Sequence, residues 1–339
     1  MILASPCLCI LLAGSAPGAD LQVRVDPAQA EAVLDLLAKR AKGVALQPAD
    51  WARLFGTAGY RRLQRREAAM KRPFTDDELK AFVESSDLLR KAPELAATLT
   101  GWKRLDAAEA SAAAAAYLPA GSRIRATIYP LIKPKTNSFV FETGTDPAIF
   151  LYLDPAVGPA KFRNTLVHEL HHIGLSSACS AKVEAQSRTV PAGAAQARKW
   201  AGAFGEGLAM LAAAGGADVH PHATSGTEDR ARWDRDLARF PEDLRAVEAF
   251  LLELVDGRLD EDQGSAKGMD FFGTQGPWYT VGWRMAETVE RRFGRARLLA
   301  CMCDPAEFLE TYNRAAADTA ALPRWSPRLL KALAGGSGH

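Results

Sequence analysis

The hydrophobic and polar positions divide this chain into stretches of different periodicity. Between residues 26 and 118, apolar residues such as Val33 and Leu37 recur three or four positions apart, which is typical of amphipathic helices. Asp26 and Pro27 suit the N-cap and the first helical position. Helices are therefore predicted from Asp26 onwards and at residues 48–63, 75–91 and 107–117.

After residue 118 the pattern changes to alternation. The segments "SRIRATIYPLI" and "NSFVFET" carry β-branched and aromatic residues at alternate positions, which predicts a hairpin or two paired strands, and "AIFLYLD" predicts a third strand. "ADVHPHATSGT" and the glycine-rich "DEDQGSAKGMDFFGTQGP" are predicted loops. Helical spacing returns at residues 161–175, 195–214, 228–256, 281–293 and from 304 onwards. The fold class is therefore predicted to be α+β and mostly α.

The composition is that of an ordinary globular protein. Of the 339 residues, 48% are hydrophobic and 24% are charged. A chain of this length is long enough for one large domain or two modest ones. The 42 basic and 40 acidic residues give a formal net charge of +2. Nothing in this charge favours nucleic acid or an anionic membrane as a partner.

The first 19 residues differ from the rest. Residues 1–13 are almost entirely apolar and are followed by small residues, which resembles a secretory signal peptide although no Lys or Arg precedes the run. Export to the periplasm or the exterior is predicted, with a cytoplasmic protein as the alternative. The run is short for a bilayer, so no stable membrane span is expected once the signal is removed.

Three cysteines, Cys179, Cys301 and Cys303, lie beyond that segment. An odd number of cysteines cannot all pair, and three in a chain of this length suggest no disulfide framework. Cysteine usage alone therefore neither supports nor opposes export.

The candidate chemistry is concentrated in "TLVHELHHIG", which holds three of the six histidines. His168 and His172 stand at i and i+4, so on a helix they share one face and can bind one zinc ion. Glu169 can hydrogen-bond a metal-bound water and take its proton as the general base. His171 is rotated away from that face by about 100°, which favours a core position or a hydrogen bond to a carboxylate.

A third ligand must come from elsewhere. A metzincin would carry glycine and histidine where this chain has Leu175 and Ala178, and a di-iron site would need a second E-x-x-H, which is missing. His220 and His222 offer imidazoles from a loop. Glu206 is the favoured candidate, because a carboxylate in an otherwise apolar helix needs a partner. The glycines at 202, 205 and 207 indicate that this helix packs closely against another.

His168, His172 and Glu206 would form a two-histidine, one-carboxylate set, which in catalytic zinc sites leaves one position open. HExxH followed by a Glu-Gly helix resembles the gluzincin metallopeptidases. The order of "HELHHIG", "GEGLA" and "GPWYTVGWRMAE" is also similar to a family of zinc-dependent peptidases named only as a domain of unknown function. The resemblance covers roughly residues 26–315, although the 33 residues between His172 and Glu206 exceed the thermolysin-like spacing.

This resemblance implies a zincin-like core with a small sheet beside the HExxH helix. It also implies one zinc ion bound by His168, His172 and Glu206, with Glu169 as the base. In several zinc peptidases a tyrosine or histidine donates a hydrogen bond to the oxyanion, and Tyr279 is the candidate here. Aromatic packing beside Trp278 and Trp283 is the alternative role of Tyr279.

The predicted function is that of a zinc-dependent hydrolase, a metallopeptidase acting on a peptide or protein that pairs with the strand "AIFLYLD". The alternatives are another zinc hydrolase such as an amidase, and a non-catalytic helical binding module whose structural zinc has four protein ligands. The regions are assigned as a helical region over 20–118, a sheet with zinc-binding helices over 119–216, a second helical region over 217–325 and a tail over 326–339.

Overall fold

The computed structural model describes residues 20–71, 74–136, 138–319 and 321–335. These residues form an α+β fold that is mostly helical, which confirms the predicted fold class. The predicted signal peptide and the terminal "GSGH" lie outside the described residues. Within the described ranges, no helix is long and apolar enough to cross a membrane.

Helices fill most of residues 28–115, as the apolar spacing from residue 26 onwards predicts. They are α1 (Ala28–Ala41), α2 (Pro48–Phe55), α3 (Ala58–Ala69), α4 (Asp76–Val83), α5 (Ser86–Lys103) and α6 (Ala107–Ala115). Two predicted helices, at 48–63 and 75–91, are each divided in two. The divisions fall where the Thr57 and Ser85 hydroxyls accept backbone N–H groups and cap the following helix.

A four-stranded sheet stands beside these helices. Its strands are β1 (Asp20–Val25), β2 (Arg123–Leu131), β3 (Phe139–Phe141) and β4 (Ala148–Tyr152), in the order β1-β2-β4-β3. β1, β2 and β4 are parallel, and β3 is antiparallel to β4. β1 was not predicted, because its alternation of Leu21, Val23 and Val25 is short and two of those side chains remain exposed at the sheet edge.

The predicted hairpin of β2 and β3 is wrong, because β4 lies between them. Phe139 of β3 is the register partner of Phe150 in β4, and their ring centroids are 5.1 Å apart. The role predicted for β4 in substrate pairing is also wrong. Its Ala148 already pairs with Thr127 on one side and with Phe141 on the other, so β4 has no free edge.

The long helix α7 (Pro159–Ser187) packs against β2 and α6 and extends 12 residues beyond its predicted end at 175. The remaining helices are α8 (Ala192–Ala201), α9 (Gly205–Ala214), α10 (Thr227–Ala238), α11 (Phe240–Val255), α12 (Glu261–Asp270), α13 (Pro277–Phe293), α14 (Arg295–Cys301), α15 (Pro305–Ala315) and α16 (Pro327–Ala334). A 3-10 turn at Gly202–Phe204 separates α8 from α9, where a single helix was predicted.

Helix α12 occupies a stretch predicted as a glycine-rich loop. Asp260 and Gln263 form a capping box at its start. Gly264 and Gly268 lie against the side chains of Leu254 and Trp200, and a Cβ at these positions would come within 2.9 and 2.6 Å of them. These glycines therefore serve helix packing, which the sequence pattern alone does not distinguish from a loop.

A disulfide joins Cys179 of α7 to Cys303, with the two Cα atoms 4.8 Å apart, and Cys301 is a buried free thiol. The sequence left the pairing of these three cysteines open, and the structure pairs two of them. The two partners are 124 residues apart in the chain, so no local spacing indicates the pairing.

Candidate metal centre

Two helices bring together the three side chains assigned as metal ligands. α7 presents His168 and His172, and α9 presents Glu206 in its first turn, where the helix dipole favours a carboxylate. Oε2 of Glu206 lies 3.1 Å from Nε2 of each imidazole, and the two Nε2 atoms are 3.0 Å apart. Within the described part of the chain, this ligand group contains these three residues and no fourth His, Cys, Asp or Glu.

The donor chemistry of this trio fits a metal ion. Each Nε2 faces the other Nε2 as well as the carboxylate, so two neutral rings that present their Nε2 lone pairs here direct them at each other. A cation shared by the three atoms satisfies all of these lone pairs. Two imidazoles and one carboxylate are also a donor set of catalytic zinc sites.

The electrostatics of the trio favour a bound cation. Burial raises the pKa of the Glu206 carboxyl, but His172 and His168 lower it by more, so this pKa lies far below its ordinary range. Burial lowers the pKa of His172, and the Glu206 carboxylate more than offsets this effect and raises it to about 9. Glu206 is therefore an ionised carboxylate held in a largely apolar helix by positive charge.

A close helix contact fixes Glu206 in place. A Cβ at Gly207 would lie 2.6 Å from the Cα of Gly282 in α13, and a Cβ at Gly282 would lie 2.7 Å from the carbonyl oxygen of Phe204. This confirms the close packing expected of α9 at Gly207. A Cβ at Gly205 would lie 3.3 Å from Cδ2 of Leu175 in α7, which is a tight contact. A Cβ at Gly202 would meet nothing within 4 Å, so the packing argument does not apply to Gly202.

Glu169 lies at the wall of a cavity of about 230 Å³, which His168 and Tyr279 also line. Burial raises the pKa of the Glu169 carboxyl, and the neighbouring His168 and His172 oppose that shift. A half-buried carboxylate with a raised pKa beside a metal-ligand set has the chemistry of a general base.

Tyr279 lines the same cavity, and its ring lies nearly parallel to that of His168 with centroids 6.2 Å apart. Its neighbours Trp278 and Trp283 are buried, and Tyr279 itself packs edge-on against Phe272 with ring centroids 6.4 Å apart, so it also makes an aromatic packing contact. Burial raises the pKa of the Tyr279 hydroxyl, and the Glu206 and Glu169 carboxylates raise it further. The hydroxyl therefore stays protonated and can donate a hydrogen bond.

The other histidines of the described ranges, His171, His220 and His222, lie outside the trio. His171 is fully buried, its Nε2–H donates to the carbonyl oxygen of Tyr117 at 3.1 Å, and burial lowers its pKa to about 3. It is thus a core residue and bonds a carbonyl, not a carboxylate. Nε2 of His220 lies 3.0 Å from Asp234, and Nδ1 of His222 lies 3.1 Å from Ser225.

The sequence patterns missed two features of this region. A groove of about 650 Å³ begins at His172 and Glu206 and follows one face of α7 as far as Ser187. On the other side of the trio, His222 and Gln275 line the cavity beside Glu169. The period of α7 could have indicated the groove, because Leu175, Cys179 and Val183 share its face, but nothing local connects Gln275 to Glu169.

Comparison with known proteins gives one result for this chain. The family model described as "Putative zinc dependent peptidase (DUF5700)" matches residues 51–321, which is most of the chain and includes α7, α9 and α13. No curated protein and no solved structure matches it. By this match, which covers more than half of its length, the chain belongs to the DUF5700 family.

Proposed function

We propose that this protein is a zinc metallopeptidase in which His168, His172 and Glu206 hold one zinc ion and Glu169 is the general base. The observation that carries the proposal is the convergence of the three ligand atoms, at 3.0 to 3.1 Å from one another, with one of the three residues, His168, lining the same cavity as Glu169. The family match to zinc-dependent peptidases supports the same reaction class.

A zinc ion in such a site supplies Lewis-acid polarisation of the scissile carbonyl and lowers the pKa of water. The Glu169 carboxylate takes the proton from the attacking water and passes it to the nitrogen of the leaving amine. Tyr279 donates a hydrogen bond from its hydroxyl group to the oxygen on which negative charge develops. Its raised pKa keeps the hydroxyl protonated, so this hydrogen bond is available.

Two observations favour a peptidase over the alternative functions. A structural zinc usually has four protein ligands, and the ligand group within the described ranges contains three, which supports an open catalytic position. The groove along α7 spans residues 172 to 187, about 22 Å of helix, which suits an extended substrate better than a small amide.

We further propose that the protein is exported. The Cys179–Cys303 disulfide supports this location, because disulfides form and persist mainly in oxidising compartments.

Zinc content, measured by elemental analysis, tests the ligand set. The wild type is expected to hold one zinc ion per chain, and both Glu206→Ala and Glu206→Gln to lose it or bind it much more weakly. Glu169→Gln is the matched control, because it removes a neighbouring carboxylate that is not a ligand. Full zinc retention in both Glu206 variants would remove Glu206 from the ligand set.

Peptide hydrolysis by Glu169→Gln tests the base. The rate is expected to fall by about 10²- to 10⁴-fold, because an amide cannot accept the proton, while the zinc content stays unchanged. Hydrolysis at the wild-type rate would show that another group is the base.

A further inference from the structure

We infer that the groove along α7 binds the substrate chain on one side of the scissile bond and selects apolar side chains at alternate positions of that chain. This inference rests on the proposed peptidase function and adds the class of substrate that the site accepts. It concerns the groove of about 650 Å³ that begins at His172 and Glu206 and follows α7 as far as Ser187.

The position of the groove connects it to the metal centre. His172 and Glu206, two of the three assigned ligands, lie in its wall, whereas Glu169 and Tyr279 line the separate, smaller cavity. A peptide bond held at the ligands therefore has one half of its chain at the groove. This continuity favours the substrate as the occupant over an unrelated partner.

The groove offers apolar side chains that a bound group can touch. Leu175 and Val183 of α7 line it and are only half-buried, so part of each side chain stays accessible. Met302 lies in the same wall, and the disulfide between Cys179 and Cys303 holds its segment against α7. The groove is therefore a preformed surface on which apolar side chains of a substrate are removed from water.

The spacing of these residues fits an extended peptide. Leu175, Cys179 and Val183 are four residues apart on α7, so they share one face with a rise of about 6 Å per step. Alternate residues of an extended chain are about 6.6 Å apart and direct their side chains to the same side. A chain that runs beside α7 can therefore place every second side chain on this face. The groove's length of about 22 Å corresponds to about six extended residues.

Gly202 is an independent indication that a chain passes here. It lines the groove with Glu206 and begins the 3-10 turn between α8 and α9. Its φ is −59°, which any residue adopts, and a Cβ there would meet nothing within 4 Å. Neither conformation nor packing requires a glycine, which is less stable than alanine in a helical segment. The missing side chain leaves room for a substrate chain close to the ligands.

The polar groups of the groove suit a peptide backbone without favouring a charged substrate. The Ser176 and Ser180 hydroxyls lie 3.2 Å apart in the wall, and each can donate to a carbonyl or accept from an N–H group. Among the described residues, the charged groups of the groove other than the ligand Glu206 are Glu184 and Lys199, which have opposite signs. The apolar surface therefore dominates the selection.

Matched peptides test this selection. A peptide library identifies the cleaved bond, and pairs that differ by leucine or asparagine at one position compare an apolar with a polar side chain of similar size. At alternate positions on one side of the bond, asparagine is expected to lower kcat/KM by about tenfold, because the apolar burial is lost, and by less than about twofold at the intervening positions. Equal effects at both sets of positions would overturn the inference.

Gly202→Leu fills the groove beside the ligands. It is expected to raise KM for a peptide with six residues on the groove side by about tenfold, with zinc content and Tm unchanged. Gly101→Leu in α5 is the matched control, because Gly101 is also an exposed helical glycine whose Cβ would meet nothing, and KM is expected to stay at the wild-type value. An unchanged KM in Gly202→Leu would overturn the inference.

Val183→Thr tests the far end of the groove. It keeps the shape of the side chain and adds a hydroxyl, so it is expected to reduce the leucine preference at the contact position farthest from the scissile bond and to keep the preference nearest the bond. A merely structural role would lower the rates for all peptides together, and that result would contradict the assignment of Val183.

Peptide binding separates failure of the groove from failure of the proposed function. Calorimetry with zinc-loaded Glu169→Gln is expected to show tighter binding of a hexapeptide of alternating leucine and serine than of a serine hexapeptide, and the added Gly202→Leu to remove the difference. This preference without any cleavage by the wild type would refute the peptidase proposal and retain the groove. Cleavage without an apolar preference in rate or binding would refute the groove and retain the peptidase.

Sedimentation of the wild type and of Gly202→Leu tests the competing occupant, a second copy of the chain. Both proteins are expected to sediment as the same species. A wild-type dimer that Gly202→Leu dissociates would assign the groove to the second copy and overturn the inference.

Discussion

The chain carries two pairs of closely spaced histidines, and the structure uses them in opposite ways. In α7, the rings of His168 and His172 are 4.6 Å apart and both Nε2 atoms face the same oxygen of Glu206. In the loop before α10, the rings of His220 and His222 are 6.2 Å apart, and each bonds a different partner. The two loop histidines also bond each other, because the backbone N–H of His222 donates a hydrogen bond to Nδ1 of His220.

The comparison teaches that proximity in the chain does not make a metal site. A helix holds residues at i and i+4 on one face with their nitrogens converging, whatever surrounds it. Two histidines separated by Pro221 in a loop have no such constraint, so local hydrogen bonds decide where each ring lies. The ligand role proposed for the helical pair therefore predicts effects that the loop pair lacks.

The largest expected difference concerns zinc binding. His172→Leu is expected to weaken zinc binding by more than about 100-fold, because even the loss of an outer-shell partner costs 10- to 100-fold and this residue is a ligand. His220→Leu is expected to keep the wild-type zinc content. Zinc titration against a competing chelator measures both, and equal losses in the two variants would refute the distinction between the pairs.

A large effect is also expected where α9 is held against α13. Gly207→Ala places a Cβ against the backbone of Gly282 and is expected to lower the free energy of unfolding by about 3 kcal/mol or more, with loss of zinc as Glu206 shifts. Gly202→Ala is the control, because a Cβ there meets nothing, and stability is expected to stay level or rise by up to about 1 kcal/mol. Urea unfolding measures both variants; a mild Gly207→Ala would contradict the packing argument.

A smaller effect is expected at His171, which is adjacent to His172 but faces the core. His171→Leu leaves the Tyr117 carbonyl without its donor and also removes Nδ1, which has no partner. These two changes have opposite effects on stability, so the free energy of unfolding is expected to fall by only about 1 kcal/mol. The variant is expected to retain its zinc in full. Loss of zinc in a folded His171→Leu protein would show that the ligand face of α7 is assigned wrongly.

The smallest effect is expected at the exposed end of the loop pair. The bond between His220 and Asp234 involves a carboxylate with a 63% exposed side chain, and such surface pairs contribute little. His220→Ala is expected to change the free energy of unfolding by less than about 0.5 kcal/mol and to leave peptide cleavage unchanged. A clear loss of activity in this variant would give the loop pair a role that its contacts do not show.

The sequence predicted those parts of the molecule that depend on near neighbours in the chain. Apolar spacing located the helices of residues 26–118, and HExxH gave the arrangement of His168 and His172, because helix geometry alone fixes it. The prediction from sequence is wrong where tertiary packing overrides local composition. In α12, for example, the glycines contact Trp200 and Leu254 and do not indicate a loop.

Distant contacts were decided by the tertiary structure alone. The strand order places β4 between β2 and β3, and the disulfide joins Cys179 to a cysteine 124 residues away. The sequence indicates Glu206 as a candidate ligand, because a carboxylate in an apolar helix needs a partner. The close approach of Gly207 to Gly282 in the folded structure holds α9 where Oε2 of Glu206 lies next to both imidazoles. The cavity that His222 and Gln275 line beside Glu169 belongs to the same class, since such contacts depend on how whole helices pack and leave no periodic trace in the chain.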